Sequence, residues 1–436
     1  MKIKYFCIFL LPFLLTGCWS ANELNELTLI TSMAIDKEED GYLVTLAITV
    51  PSEATINAPG RSASTVVSST RGINACDAFR RTSSKISRTP NLSHIQNIII
   101  SEELAKEGIL PAIDCIIRDD QLRPTSFLFI AKGVKAKDVL AINTSIEHSA
   151  SSKISQMIKN AEVNYSIVNA VSLVEFINSL TTPDKEAYLP GIGVYGDLEK
   201  GNTVDNSQDV APSAIIYLAP YALFKKDKMI AWLDDYTSKG VNFLLNDVKS
   251  TMINYQCDND RYFVLNVRKA KTKIKVNTKG KVPKFTISAD IKGTICQADC
   301  RLDLTKTSKV KELENKFQRV IKQQLQKTMA NLQTNYTSDV LGLGGYIHRK
   351  DHKLWKNLNK DWEEVFKNLI PYINVTMDTT GSIGKRYRRE DEIGTPFSIC
   401  VDFDTENDGC VTIRDRDTMD QVRIPVAQVR EYIEER

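Results

Sequence analysis

Leu15-Thr16-Gly17-Cys18 restricts where this chain can fold. Lys2 and Lys4 precede an apolar run from Tyr5 to Leu15, and small residues then lead to a cysteine. That order is a secretory signal ending in a lipoprotein box. At such a box the Cys18 thiol takes an acyl chain such as palmitate, and the peptide is cut between Gly17 and Cys18. Residues 1–17 are then a signal peptide, and the mature chain folds beside a bilayer, tethered by its first residue. Each buried methylene adds about 0.8 kcal/mol of membrane affinity, so two or more acyl chains anchor stably. The alternatives are an ordinary signal peptide or a lone transmembrane helix with an incidental cysteine. A span needs about 20 apolar residues, roughly twice this run.

Composition restricts the rest. At 436 residues, 42% hydrophobic and 25% charged, the chain has a globular make-up and length for two to three domains. Its formal charge of +3 includes Lys2 and Lys4, so the mature chain carries 3 − 2 = +1. That balance argues against a nucleic-acid partner. Beyond Cys18 no apolar run is long enough to span a bilayer. Cys76, Cys115, Cys257, Cys296, Cys300, Cys400 and Cys410 are odd in number and scattered, which does not read as a disulfide framework. Cys296 and Cys300 are near enough in sequence to suggest a bridge, but isolated, half-buried thiols are the favoured reading.

Hydrophobic periodicity predicts an α+β, multi-domain protein with mixed or antiparallel sheets flanked by helices. Residues 27–36 and 42–50 read as a hairpin, 65–70 as a strand, 74–87 as a helix and Ile95–Ile100 as a strand buried on both faces. Ser101 is a helix N-cap, with Glu102 and Glu103 in the first turn. Helical patterns at 146–160 and 171–180 precede a stretch broken by Pro183, Pro190, Gly191, Gly193 and Gly196. The polar run Glu199–Asp209 marks a domain boundary. Strands follow at 213–217, 221–224, 229–233, 261–269, 271–278 and 284–295, then a long amphipathic helix from Lys309 to Leu332 suited to packing across a sheet. A second amphipathic segment through Trp355 and Trp362 stops at Pro371, before a strand at 372–379.

Cys18-Trp19-Ser20, Glu23-Leu24-Asn25-Glu26-Leu27, Ala34-Ile35-Asp36, His94-Ile95-Gln96-Asn97-Ile98-Ile99-Ile100-Ser101-Glu102-Glu103-Leu104-Ala105, and Ile117-Arg118-Asp119 with Arg123 recur in one order. So do Ala222-Leu223-Phe224-Lys225, Met229-Ile230-Ala231-Trp232-Leu233, and Asp339 through Trp355, Trp362 and Phe366 to Ile373-Asn374-Val375. Together these resemble the lipoprotein C-subunit family of spore germinant receptors over residues 18 to about 380, although Ala231 stands where that family usually has Gly. The resemblance implies an N-terminal region at 18–205, of one or two subdomains, and a C-terminal domain at 210–384. It also implies a non-enzymatic subunit that assembles with a multi-pass A subunit and a transporter-like B subunit, on the outer face of the inner spore membrane. A lipid-anchored solute-binding protein is the alternative, and it predicts a defined ligand cleft.

The text changes after Gly384. Lys385-Arg386-Tyr387-Arg388-Arg389-Glu390-Asp391-Glu392-Ile393-Gly394-Thr395-Pro396-Phe397, Val401-Asp402-Phe403-Asp404, Val411 to Asp417 and Gln421 to Pro425 resemble the end of class II glycyl-tRNA synthetase. Residues 385–436 would be part of its anticodon-binding domain, read as strands at 397–403, 410–416 and 421–424 and a helix from Pro425.

Two catalytic signatures are missing from this sequence: the nucleophile elbow and the phosphate loop do not occur. His348 and His352 have the i, i+4 spacing of a zinc pair, but Arg349 and Lys350 between them oppose a divalent ion, and surface histidines are the favoured reading. No cofactor or metal is expected. Gly342, Gly344 and Gly345 read as a tight bend, and Trp355 and Trp362 as core. Lys271, Lys273 and Lys275 alternate with Thr272, Ile274 and Val276, placing three ammonium groups on one strand face. Contact with anionic lipid or a membrane-embedded partner is one reading; a solvated face that protects a sheet edge is the favoured one.

Overall fold

The computed structural model describes residues 26–49, 65–377 apart from 148, 183, 259, 281, 301 and 303–305, and 396–434 apart from 402–404. The chain divides into two compact units, Met1–Met377 and Asp378–Arg436. The expected lipidation site Cys18, with Gly17, lies outside the described residues.

The first unit is α+β, as its periodicities predict. Strands β1 (Leu27–Glu38), β2 (Gly41–Thr49), β3 (Thr65–Gly72), β4 (Thr89–Asn91), β5 (Asn97–Ser101), β6 (Phe127–Ala131), β7 (Tyr188–Gly196), β8 (Ala214–Lys225) and β9 (Lys228–Trp232) form one sheet. Its order is β3-β2-β1-β5-β6-β7-β8-β9, with β4 beside the start of β1. The middle pairings, β1 with β5, β5 with β6 and β6 with β7, are parallel, and the outer ones are antiparallel. The sheet is therefore mixed, with helices on both faces.

Period-2 alternation decides which residue faces which layer. Ile98 and Ile100 enter a core with α1 (Ala75–Arg81), α2 (Glu102–Glu107), α3 (Leu110–Ile117) and the base of α6 (Leu173–Thr181). Ile99 points the other way, toward α4 (Ala136–Ala141) and α5 (Ala150–Asn164). That second core continues into the rest of the unit: α7 (Asp235–Leu245), a sheet ordered β10 (Thr251–Asp258), β11 (Arg261–Asn277), β12 (Lys284–Ala298) and β13 (Tyr372–Met377), and α8 (Thr307–Ala330). Leu313, Phe317, Ile321 and Leu325 of α8 are buried with Phe285, Ile287, Ala289 and Ile291 of β12, so the long helix packs across a sheet as its spacing predicts.

Several boundaries differ from expectation for identifiable reasons. The segments 213–217 and 221–224 are one strand, because Pro220 falls in the bulge where Ala219 pairs with Gly191 and Tyr221 with Pro190. Pro is tolerated in a sheet at such a bulge. The segments 261–269 and 271–278 are also one strand, which absorbs register shifts at Val264/Leu265 and Val267/Lys269. Residues 188–196, which read as broken by Pro and Gly, are β7; Gly193 leaves room for the ring of Tyr217 on the paired strand. β8 and β9, on the far side of the polar run 199–209, complete the first sheet.

The cysteine reading is corrected. Cys76 of α1 is bonded to Cys115 of α3, and Cys257 of β10 to Cys300 just past β12. Cys296 is unbridged and exposed. Cys300 is taken up by Cys257, so Cys296 has no bridge to its sequence neighbour. Separations of 39 and 43 residues are closed by helix packing and strand pairing, which spacing in sequence does not reveal.

The second unit holds a three-stranded antiparallel sheet of β14 (Phe397–Cys400), β15 (Cys410–Asp415) and β16 (Gln421–Pro425). Val411 and Ile413 are buried, and Arg423 pairs with Asp408 at 2.9 Å. The expected closing helix starts at Val429, after a 3-10 turn at Val426–Gln428.

One buried amide ties the first sheet to its helical layer. Asn97 Nδ2 donates to Ser32 Oγ at 3.2 Å and to the Ser151 carbonyl at 2.9 Å, and Asn97 Oδ1 accepts from Ser155 Oγ at 3.1 Å. Asn97→Ala takes this partner from Ser32 Oγ, leaves Ser155 Oγ only its bond to Gln96 Oε1 at 2.8 Å, and opens a small cavity. It is expected to cost about 3 kcal/mol, read as a lowered denaturation midpoint at unchanged m-value.

Candidate functional site

The segment between α6 and β7 carries two side chains that organise the site. Asp184 is buried, and its Oδ2 lies 3.0 Å from Nδ1 of His348. Lys185 lies along Gly342 on one side and reaches over the Tyr188 ring, with its Nζ 5.9 Å from the ring centroid. Backbone continues the seam, with Glu186 N donating to the Asp339 carbonyl at 3.0 Å.

Asp339 organises the opposite wall. Its Oδ1 accepts from Leu343 N at 3.0 Å, and its Oδ2 from Gly344 N at 3.0 Å and Trp362 Nε1 at 3.2 Å. It thereby caps α9 (Leu343–Lys350), a helix entered through Gly342 at φ 66°, a conformation that side-chain-bearing residues avoid. A Cβ on Gly344 would come within 2.6 Å of the Trp355 ring, so the bend predicted from these glycines also seats that indole. α9 ends at Lys350, and Asp351 caps α10 (His352–Leu358), followed by α11 (Trp362–Lys367).

A continuous ladder results. His348 is stacked with Trp355 at 5.9 Å, Trp355 meets Trp362 edge-on at 5.1 Å, and Trp362 reaches Phe366 at 6.3 Å. The ladder joins two buried carboxyl groups, Asp184 at one end and Asp339 at the other. Trp355 is core, as expected from its stripe. His352 is exposed, as the surface reading expects, while His348 departs from it: the two sit on successive helices with rings 5.0 Å apart, and His348 is half-buried and fixed by a buried carboxylate. Spacing in one chain could not reveal Asp184, which lies 164 residues away. Among the described residues no group of three or more His, Cys, Asp or Glu could hold a metal ion.

Beside this seam is a cleft of about 600 Å³ lined by Glu162, Asn169, Glu175, Lys185, Tyr188 and Asp247, among others. The side chain of Asn169 donates to the Asp247 carbonyl at 2.9 Å, while its buried Oδ1 has no partner. Burial raises the Asp247 carboxyl above its ordinary range; Lys185 opposes this, and Glu162 and Glu175 add to it. Tyr221, behind the cleft, accepts from Asn169 N at 2.6 Å and donates to Asn242 Oδ1 at 2.8 Å. Lys271, Lys273 and Lys275 are all exposed, with Thr272 and Val276 buried on the reverse of the strand.

Comparison with known proteins places this architecture. Residues 20–194 match the spore germination protein N-terminal domain, and residues 220–382 the spore germination B3/GerAC like, C-terminal domain. The chain belongs to the spore germination GerAC-like family. Spore germination protein KC of Bacillus subtilis (strain 168) is 27% identical over 373 residues, covering 84% of this chain and 91% of that protein. Putative spore germination protein YfkR of the same organism is 25% identical over 394 residues, covering 88% and 98%. The solved structure of the GerBC protein aligns over 80% of this chain and 97% of its own at 19% identity, with a TM-score of 0.48. Residues 351–436 match an anticodon binding domain. The glycine–tRNA ligase of Clostridium perfringens (strain 13 / Type A) is 59% identical over 81 residues, and this chain spans 17% of its length. The ligase likeness is thus confined to a short C-terminal region, which overlaps the end of the germination domain at 351–382.

The family strings have physical reasons. Asp36, buried at the end of β1, accepts from Ala136 N at 2.7 Å and Lys137 N at 2.9 Å and so caps α4. Ser101 accepts from Leu104 N as the predicted N-cap. Burial pushes the Asp339 carboxyl up to about 6, against the pull of its N–H donors. The folded state therefore keeps a proton that an unfolded chain loses near pH 4, so this group's contribution to stability falls between about pH 4 and pH 6 and levels off above. Asp339→Asn puts an amide N–H₂ where two donors converge, or leaves Leu343 N unmet. The variant is expected to lose about 2 kcal/mol near neutral pH. The margin by which the wild type exceeds it should be larger at pH 4 and shrink toward pH 6, as read by denaturant titration at each pH.

Proposed function

We propose that this chain is a lipid-anchored, non-enzymatic subunit of a nutrient germinant receptor required for spore germination. The observation that carries the reading is the pair of germination domains spanning residues 20–194 and 220–382, with two relatives named as germination proteins aligned over nearly their whole length. Its partners are then the A and B membrane subunits, and its place is the outer face of the inner spore membrane, held by acylated Cys18. Residues 18–205 and 210–384 serve as its two family modules. Two features support an exported, tethered protein. Disulfides such as Cys76–Cys115 and Cys257–Cys300 persist in oxidising compartments. Among the described residues no helix is long and apolar enough to cross a membrane.

The tail is proposed to bind no tRNA. From Lys385 onward nine Lys and Arg face thirteen Asp and Glu, a net of 9 − 13 = −4, and phosphate neutralisation dominates nucleic-acid affinity. A chain ending at Arg386 should keep its thermal midpoint and its membrane assembly; salt-sensitive binding of glycine tRNA by the full chain would contradict this.

A second reading, a lipid-anchored solute-binding protein, is favoured by the cleft with its unpartnered Asn169 Oδ1. It requires a calorimetric binding signal for one of a panel of amino acids and sugars, lost in Asn169→Leu. Cys18→Ala tests the leading reading: the variant should leave the detergent phase in phase partitioning and fail to co-purify with the A and B subunits from spore membranes. Partitioning equal to that of the wild type would refute the anchor.

A further inference from the structure

Between Arg268 and Lys292 the sequence carries nine basic residues, Arg268 and Lys269, 271, 273, 275, 279, 281, 284 and 292, against one acid, Asp290. That is a net of 9 − 1 = +8 within 25 residues of a chain whose total is +3, so the remainder carries 3 − 8 = −5. The protein is close to neutral only because a strong positive region is offset elsewhere. Folding concentrates this charge. Lys271, Lys273 and Lys275 project from one face of β11, and that face continues across the sheet in register. Lys275 pairs with Thr286 and Thr286 with Tyr372; Lys273 pairs with Ser288 and Ser288 with Asn374; Lys271 pairs with Asp290 and Asp290 with Thr376.

The opposite face of the same strands is the core under α8, where Phe285, Ile287, Ala289 and Ile291 are buried. The lysine face is thus the outer side of a sheet whose reverse lies in the apolar core shared with α7, α8 and α9. Alternate residues on a strand stand about 6.7 Å apart, so the three ammonium roots span about 13 Å. The β10 pairing stops at Val267; beyond it β12 is the paired strand of β11 among the described residues, and side chains meet the other edge, Asn246 Oδ1 accepting from Thr272 N at 2.6 Å and Lys350 Nζ donating to the Val276 carbonyl at 2.6 Å. Tyr372, 64% exposed, follows Thr286 in register at the β13 edge of this face, where Lys322 of α8 also reaches its ring, with Nζ 5.8 Å from the centroid. A tyrosine among lysines suits an interface where an amphipathic ring sits at headgroup depth. Edge protection explains lysines on β11, but it does not require Lys279, Lys284 and Lys292 to extend the charge to the next strand and the turn between.

We propose that this sheet face docks on anionic lipid headgroups, orienting the body of the protein on the bilayer. The choice of a bilayer as partner rests on the membrane-anchored reading. An acylated Cys18 holds Glu26 within about 28 Å of the membrane, eight residues at up to 3.5 Å each. Such a tether raises the local concentration of headgroups, so individually weak contacts become populated. The lipid anchor supplies residence, and the lysine face selects one orientation.

The test uses the chain from residue 18 to 436 with Cys18→Ala, so that binding reports the face and not the acyl group. Vesicles of phosphatidylcholine with phosphatidylglycerol are compared with vesicles of phosphatidylcholine alone by co-sedimentation. Binding is expected only to the anionic vesicles and should weaken as salt is raised. Lys271→Gln, Lys273→Gln and Lys275→Gln together should weaken it on the order of a hundredfold, about fivefold for each lysine near a charged surface, with an unchanged melting temperature. Arg386→Gln, Arg388→Gln and Arg389→Gln in the tail should leave it unchanged. Wild-type affinity in the triple lysine variant, or no binding of the parent to anionic vesicles, would overturn the proposal. Neither result would touch the anchoring reading, which Cys18→Ala partitioning in cells decides separately.

Discussion

Everything in the first unit depends on a five-residue strand that is buried on both faces. Asn97–Ser101 contributes side chains alternately to two cores: Ile98 and Ile100 to the layer of α1, α2 and α3, and Ile99 to the layer that continues into the second sheet. A strand in this position needs apolar side chains at successive positions, which is why the run is Ile-Ile-Ile and not an alternation. It also needs its polar ends satisfied without water. Asn97 is bound to Ser32, Ser151 and Ser155, and Ser101 turns at once into the N-cap of α2. The family string around residues 94–105 is a folding instruction, with the polar residues as specific as the apolar ones.

The second core explains why the two germination domains are not independent bodies. The face of the first sheet that carries Ile99, Phe129 and Leu223 shares one apolar layer with α7, α8 and the inner face of the second sheet. At the edge of that layer the Asp184 to Asp339 ladder runs through His348, Trp355 and Trp362, with groups from both domains. Buried carboxyl groups are costly unless they are hydrogen-bonded. Asp339 meets that cost with backbone and indole N–H groups, a geometry available only when α9 has folded and Trp362 has docked. Such an arrangement fixes register between layers more than it adds stability, and it couples the bend at Gly342 to the connector that holds Lys185 against the cleft.

Local physics was legible in the sequence, and long-range physics was not. The hairpin at 27–49, the doubly buried strand, the Ser101 cap and α8 follow from periodicity and turn chemistry within a dozen residues. The disulfides, the Asp184–His348 pair and the Asp36 cap of α4 join residues 39 to 164 positions apart, and nothing in one sequence states such pairings. The strands misread at 188–196 and 214–225 show a related limit. Pro and Gly break isolated strands, but Pro220 at a bulge and Gly193 beneath a tyrosine ring are accommodated once the partner strand is present. The site's glycines and tryptophans were visible as a bend and a stripe; that they seat one another emerged only with Trp355 lying against Gly344.

Charge follows a different logic from packing, because it need not be consistent with the core to persist. The inner face of the second sheet is dictated by α8, and any soluble residues would satisfy the outer face. That face nevertheless carries lysines at three successive outward positions of β11, while the chain outside residues 268–292 is net negative. A protein free in solution gains little from such separation, since solubility depends on total charge. A protein held by one end beside an anionic surface gains orientation from it, because the positive face is attracted and the negative remainder repelled. On the proposed reading of an acylated N-terminus, the separation of charge complements that lipid: an acyl group has no preferred direction, and the sheet supplies one.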